Sequence, residues 1–465
     1  MKNYKRVITN PFEFLRVKNF EIKQELNQHG ILHIRGLIED KNEEEYLRLL
    51  MEEQWLKVEA EDYEGDKQTL FHGIITSYTI NRINHEKILE LTCMSGTYLM
   101  DLRPHLRTFQ NESKQYSTIL NHISQGYKES GVIIGRQGDD EIQDMIIQYY
   151  ETDWEFIKRL SSYRGCYINP ECCLKGSKYF FGMPNFERYI VNDVPTYKVI
   201  RHLEDYHQKT DAGLSLFSAD AVSYIIKSSD IYKTGDYISF QGKDLCIYRI
   251  KREYIKGECL HTYYLRTLNG LTTTRVRSIA LIGASFKAEV SAVKQDVVQV
   301  RVHEDENGMP DNTRWLPYST VYSSEDGTGW YCMPEIGDEV RLQIPSANEN
   351  EGYVASAVHL KSNTSRQNPE HKSLKNKYGK EILFTPDALI ITNNDGLKIE
   401  LRDKEGILIN SDKEVRINSK GKLEITSENS TVIINGTDKV TLNQGDTNLI
   451  IDKDISFTGG DFRMQ

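Results

Sequence analysis

The sequence predicts a mainly β protein built from several units. Apolar and polar residues alternate at period two over most of residues 5–105 and 164–275, the mark of strands with one buried face. Helical spacing is confined to two short stretches between those blocks. From residue 377 onward, apolar residues paired at i and i+2 recur roughly every eight to ten positions.

Taken in order, strands are expected at Ile31–Leu37, Trp55–Ala60 and Ile88–Cys93. A helix is expected over residues 113–126, where Ile119, Leu120 and Ile123 share a face. A second runs from Thr152 to Ser162. Thr152 suits its N-cap, Glu155 three residues on completes a capping box, and Trp154, Ile157 and Leu160 form its apolar stripe. Strands return at Tyr237–Phe240 and Leu245–Ile250, punctuated by Gly235-Asp236 and Gly242-Lys243. Residues 280–360 hold further short strands: Ala288–Val293, Val297–His303, Trp315–Tyr318, Glu339–Ile344 and Gly352–Val358. A polar loop (304–313) and a glycine-rich turn (327–329) lie among them. Five or so short strands in so little chain suggest a small barrel such as an OB-fold. Residues 361–376 are nearly free of apolar side chains and read as a linker or extended connection.

The C-terminal pairs are Leu397/Ile399/Leu401, Ile407/Ile409, Val415/Ile417, Leu423/Ile425, Val432/Ile434, Val440/Leu442, Leu449/Ile451 and Ile455/Phe457. Turn residues such as Asp395-Gly396, Glu405-Gly406 and Asn435-Gly436 separate many of them. One chain of such strands leaves a thin apolar face and long open edges, an aggregation hazard. Three copies wound about one axis turn the apolar faces inward. A trimeric β-prism is therefore expected, with a single-chain β-helix or an open sheet packed on the rest as the alternatives.

Composition bounds the function. The 465 residues exceed the roughly 100–200 of one domain, so three or four units are expected. A net charge of −10 argues against a general nucleic-acid binder. Seven scattered cysteines without a CxxC pair suggest free thiols in a reducing compartment. The N-terminus lacks an apolar secretory core, and no run approaches the ~20 apolar residues of a membrane-spanning helix. Synthesis in the cytoplasm without a signal peptide is expected.

Candidate chemistry is thin. His202 and His207 stand at i,i+5 rather than the i,i+4 of a zinc-binding helix. Asp139-Asp140 reads as a solvated loop, although paired carboxylates can flank a glycosidic bond. His72 sits in a strand pattern and reads as packing. Trp315 and Trp330 could stack a sugar, but read more simply as barrel or interface aromatics. The segment after residue 377 holds no Trp and only Tyr378 among tyrosines, which argues against a sugar-stacking groove. No catalytic, cofactor-binding or metal-ligating residue is assigned, and the chain is expected not to be an enzyme.

Several motifs, in order, carry a family resemblance. Leu70–Thr76 (LFHGIIT) resembles an "FHGIVT" strand, and Leu106–Gln110 followed by Ser113 and Ile119-Leu120 resembles "R-x-FQ…S…IL". Gln148–Leu160 (QYYETDWEFIKRL) resembles "QYRETDFxFLxRL", and Gly165–Ile168 stands where "GIYY" is found. Val297–Val302, Trp315–Tyr318, Gly329–Val340 and Gly352–Val358 resemble the strand and turn motifs of a spike OB-fold. Over residues 20–360 the chain resembles the VgrG and phage late-control-D baseplate hub family.

That resemblance implies a domain plan: hub β-barrel 1 (1–112), helical insert (113–163), hub β-barrel 2 (164–278), OB-fold (279–362), linker (363–376) and trimeric β-prism spike (377–465). It implies the central spike of a contractile injection system, a structural homotrimer joining a hexameric tail tube to a cell-puncturing needle. Two barrels in each of three chains give a pseudo-sixfold ring to match the tube. Implied partners are tail-tube and baseplate proteins at the hub, and the target cell envelope. No nucleic acid is implied. Compact length and an end at Gln465 without an effector domain resemble a phage tail, R-type bacteriocin or extracellular contractile particle. Some phage tips bind iron through HxH. Here the last histidine is His371, so the tip is expected either to pack without metal or to take a separate PAAR-like cap. The alternative function is a phage tailspike-type glycan-degrading or glycan-binding β-helix protein.

Overall fold

The computed structural model describes residues 4–135, 139–183, 187–191, 196–255, 257–307, 313–359 and 363–458. The chain divides into two compact units, Met1–Leu360 and Lys361–Gln465.

The first unit begins with β1 (Tyr4–Asn10), β2 (Arg16–Glu25), β3 (Gln28–Ile38), helix α1 (Glu43–Leu49), β4 (Trp55–Asp62), β5 (Lys67–Ile83) and β6 (Glu86–Ser95). These strands alternate in burial as their sequence does: in β3, Leu32 and Ile34 are buried while His33 between them is exposed. They close around Phe20, Ile22, Leu32, Leu56, Val58, Leu70, Phe71 and Leu91. Then come β7 (Pro104–Phe109), α2 (Tyr116–Ser124), β8 (Gly131–Ile134), β9 (Ile146–Thr152), α3 (Asp153–Tyr163), β10 (Ile168–Pro170) and β11 (Lys178–Phe181). The α3 N-cap is Thr152, in a complete capping box with Glu155, as its sequence predicts. The apolar faces of α2 and α3 share one core through Ile119, Leu120, Trp154, Ile157 and Leu160.

The second β-rich block comprises β12 (Arg188–Ile190), β13 (Tyr197–Arg201), α4 (Leu203–Asp211), β14 (Val222–Ser228), β15 (Tyr237–Phe240), β16 (Lys243–Ile255) and β17 (Glu258–Arg266). Its core gathers Ile226, Ile238, Leu245, Ile247, Tyr263 and Leu265. The two blocks share one twelve-stranded sheet, with the order β1-β4-β5-β6-β3-β2-β16-β17-β14-β13 along its main path. The join is the antiparallel pairing of β2 with β16, Asn19–Glu25 against Arg249–Ile255. Like charges face one another there (Glu21 and Glu253, Lys23 and Lys251), but offset pairs relieve them: Lys251 reaches Glu21 at 2.9 Å and Lys23 reaches it at 2.6 Å.

Glycine is required where Gly96, after β6, meets the 170s loop. A Cβ on Gly96 would lie 2.1 Å from the Gly176 carbonyl oxygen, and Gly176 itself has φ +92°.

The predicted small barrel is β18 (Ala284–Lys294), β19 (Val297–Val302), β20 (Leu316–Pro317), β21 (Glu339–Ile344) and β22 (Tyr353–Ala355), ordered β20-β19-β18-β21-β22. A parallel bridge between Tyr318 and Val354 closes the ring, and the Ser319 amide donates to the Val354 carbonyl at 2.7 Å. This is an OB-type closure around Val298, Val300, Val340 and Leu342. The glycine-rich stretch is a turn, as expected: the Gly327 amide donates to the Ser324 carbonyl, and Gly327 and Gly329 have φ of +85° and +145°. Residues 308–312 of the polar loop and 360–362 at the expected barrel end lie outside the described residues.

In the second unit, β23 (Lys372–Lys375), β24 (Glu381–Thr385), β25 (Ala388–Thr392), β26 (Leu397–Arg402) and β27 (Gly406–Ser411) form an antiparallel meander. β23 falls within the stretch expected as linker; Leu374 opposite Ile382 supplies its apolar contact position. A second meander holds β28 (Val440–Gln444), β29 (Thr447–Ile451) and β30 (Ile455–Thr458). The side chain of Phe457, and residues 459–465 of the expected prism, are outside the described residues. Among the described residues no helix is long and apolar enough to cross a membrane.

Candidate functional site

The residues weighed for catalysis do not assemble. His202 caps α4, with Nε2 3.0 Å from the Ser223 hydroxyl, and burial lowers its pKa; His207 is exposed on the helix beyond. Asp139 accepts the Ser117 amide and Asp140 pairs with Arg164. His72 packs edge-on to Trp55 at 6.0 Å. Trp315 lies under the Lys294 ammonium, and Trp330 is half exposed on the same barrel. Among the described residues, the group with metal-ligand spacing is Asp62, Glu64 and Asp66, but the Asp62 carboxylate accepts the backbone amides of the other two and so shapes a turn.

A hydroxyl–imidazole–carboxylate row that sequence reading missed joins His29, Thr97 and Asp101. His29 Nδ1 is 2.8 Å from Thr97 Oγ1, and Nε2 is 3.2 Å from Asp101 Oδ2. Burial holds the imidazole below its ordinary pKa, against the pull of Asp101. Both hydroxyls in reach, Thr97 and Ser95, are sealed from solvent, and Asp101 also accepts the Thr152 hydroxyl of the α3 cap. The row ties β3 to the turn after β6 and to the α3 cap.

The strongest polar organisation lies between the helical region and the OB barrel. His105 Nδ1 contacts Glu306 at 2.6 Å, the Leu106 amide donates to the same carboxylate, and Asn307 Nδ2 donates to the Thr108 carbonyl at 2.7 Å. Arg159, almost fully buried, holds Glu151 through two parallel bonds at 2.8 Å and Glu349 at 2.8 Å. Met145 and Ile147, from the segment between α2 and α3, are part of the OB core itself. The preceding strands and helices and the OB barrel are thus one packed body. Residues about 200 positions apart carry these contacts, which is why no local pattern announced them.

The second unit presents the opposite condition. Its meander stacks Ile391, Ile399 and Ile409 across three strands, and Leu389, Leu401 and Ile407 beside them. That stripe stays largely open, with Ile407, Ile409 and Leu401 exposed. Among the described residues, 413–439 form no strand and no backbone-to-backbone hydrogen bond, although their apolar alternation continues. Ile417, Ile425 and Ile433 are 68%, 69% and 74% exposed. Among the described residues, the strand-type backbone bonds of this stretch stay unmade and its apolar side chains lie in solvent.

Residues 286–359 match the sequence model of the type VI secretion system/phage-baseplate injector OB domain, and residues 17–178 match that of the Alg8 N-terminal domain. No curated protein matches the sequence. Among solved structures, the E. coli c3393 protein is a component of the type VI secretion system with structural similarity to bacteriophage T4 tail proteins gp27 and gp5. It aligns over 76% of this chain and 100% of its own, at TM-score 0.53 and 13% identity. The Francisella PdpA-VgrG complex aligns over 88% of each chain in its half-lidded form, at TM-score 0.55 and 11% identity. Its lidless form covers 84% of this chain and 93% of that one, at TM-score 0.54 and 10% identity. In fold, this chain is similar to the VgrG and gp27/gp5-like structures.

Proposed function

We propose that the chain is the structural hub and spike of a contractile injection machine, joining a tail tube to a homotrimeric needle. The observation that carries the reading is the stretch 413–439, which keeps strand-like apolar alternation yet finds no strand partner within the described residues of its own chain. Two further copies supply both missing backbone partners and a buried apolar face.

In this reading residues 1–112 and 164–278 provide two quasi-equivalent β blocks per chain, six per trimer, to seat on a hexameric tube. The OB barrel, bolted to the hub by the Arg159 and Glu306 contacts, narrows that ring to threefold. Residues 377–465 form a stiff prism. The work is mechanical, and the protein assembles into a phage-tail-like particle with tube and baseplate proteins at the hub. The test is reconstitution with a tail-tube protein, viewed by electron microscopy. Tubes capped at one end by a threefold spike are expected. Tubes that never acquire the protein would overturn the reading.

A further inference from the structure

Arg252, in β16, is 2% exposed. A buried guanidinium is strongly unfavourable unless an anion compensates it. Arg159 shows the usual solution, two carboxylates in contact. Among the described residues, Arg252 has only neutral partners: the Tyr232 carbonyl at 2.6 Å, the Tyr263 hydroxyl at 3.3 Å and His261 Nδ1 at 3.3 Å. Its Nε–H has no acceptor among the described residues. Nor does any described carboxylate come within ion-pair distance of it.

Arg252 lines a cleft of about 330 Å³ at the join of the two sheet halves, together with Gln24, Asn169, Cys173, Lys233 and Thr234. Lys233 is exposed at this cleft and makes no ion pair among the described residues. Glu171, Glu187 and Asp236 also border it. Glu171 accepts the Cys173 amide at 2.7 Å and Asp236 the Lys233 amide at 2.7 Å, so backbone donors hold these two acids rather than Arg252. Burial pushes the Asp236 carboxyl up to about 6, which reduces its charge in mildly acidic solution.

We propose that this cleft binds a small oxyanion, with Arg252 and Lys233 as its cationic pole. Guanidinium matches the geometry of phosphate and carboxylate alike, and the volume sits at the small end of ligand pockets. The site is separate from the mechanical role and stands or falls without it.

The full-length protein is titrated with sodium phosphate and with sodium acetate, ionic strength held by sodium chloride, and its melting temperature followed. A saturable rise with one of the two, absent with chloride, is expected; the effective anion tells tetrahedral from planar recognition. Lys233→Ala, at an exposed position, raises the half-saturating concentration at least threefold, and Arg252→Gln abolishes the response. Bound anion also slows alkylation of Cys173, read by peptide mass spectrometry. Equal responses to all three salts overturn the site. So does an unchanged half-saturation in Lys233→Ala, which decides the matter even if Arg252→Gln fails to fold.

Discussion

Arg159→Met tests whether hub and OB barrel are locked by one buried ion cluster. The native guanidinium binds Glu151 twice and Glu349 once, and also donates to the Ile147 carbonyl at 2.7 Å and the Tyr163 hydroxyl at 2.6 Å. Methionine keeps much of the side-chain volume but leaves the carboxylate of Glu349, 3% exposed, without its cation. Breaking a buried pair from one side costs about 3–5 kcal/mol, because the remaining charge is stranded. Glu349→Gln is milder: Arg159 keeps Glu151, and about 1–2 kcal/mol is expected for the lost charge-assisted bond. Arg159→Met combined with Glu349→Leu removes the stranded charge and recovers part of the single-variant loss. The assay is urea unfolding of the full-length protein at fixed protomer concentration, followed by tryptophan fluorescence, to which Trp154 contributes from the core that α2 and α3 share. A single variant within about 0.5 kcal/mol of wild type, the range of ordinary surface changes, would refute the reasoning. A double variant no better than Arg159→Met would refute the stranded-charge explanation.

Ile425→Asp is expected to abolish trimers in analytical ultracentrifugation while leaving hub unfolding unchanged, because Ile425 is 69% exposed in the single chain; a stable trimer would place that residue outside the interface. Thr152→Ala removes a complete capping box and is expected to cost about 1 kcal/mol in the same urea experiment. Gly96→Ala drives a Cβ against the Gly176 carbonyl and is expected to cost about 1–3 kcal/mol, since both sides of the contact are backbone. Burial and, behind it, the Arg252 charge depress His261 from 6.5 to about 3. Below pH 6.5 the unfolded chain takes a proton that the folded one refuses, so stability falls as pH drops through that window, by at most about 1.4 kcal/mol per pH unit. His261→Gln is expected to flatten the slope in urea titrations between about pH 6.5 and 4.

Much of the fold was legible because its signals are local. The α3 capping box needs only Thr152 and Glu155, and the strand of Leu32 and Ile34 needs only alternation. The OB barrel was readable from short strands and turn residues within one continuous stretch. The join of the two β blocks was not: β2 meets β16 across more than 200 residues, and nothing in Glu21 or Lys251 names the other. The same distance hid the Arg159–Glu349 bond and the Glu306 contacts. His29, Thr97 and Asp101 meet only after β3 and β6 pair. Leu374 alone was too little apolar content to mark β23 as a strand. Conversely, the C-terminal apolar pairs were plain in sequence, yet one chain realises only part of them as strands. Val415, Leu423 and Val432 carry the pattern, but stay exposed in a single chain.

The mass of the purified full-length protein by light scattering tests the central claim most directly. Three times the 53.8 kDa of one chain is expected, independent of dilution over the micromolar range. A monodisperse 53.8 kDa species would contradict the intertwined needle and with it the spike.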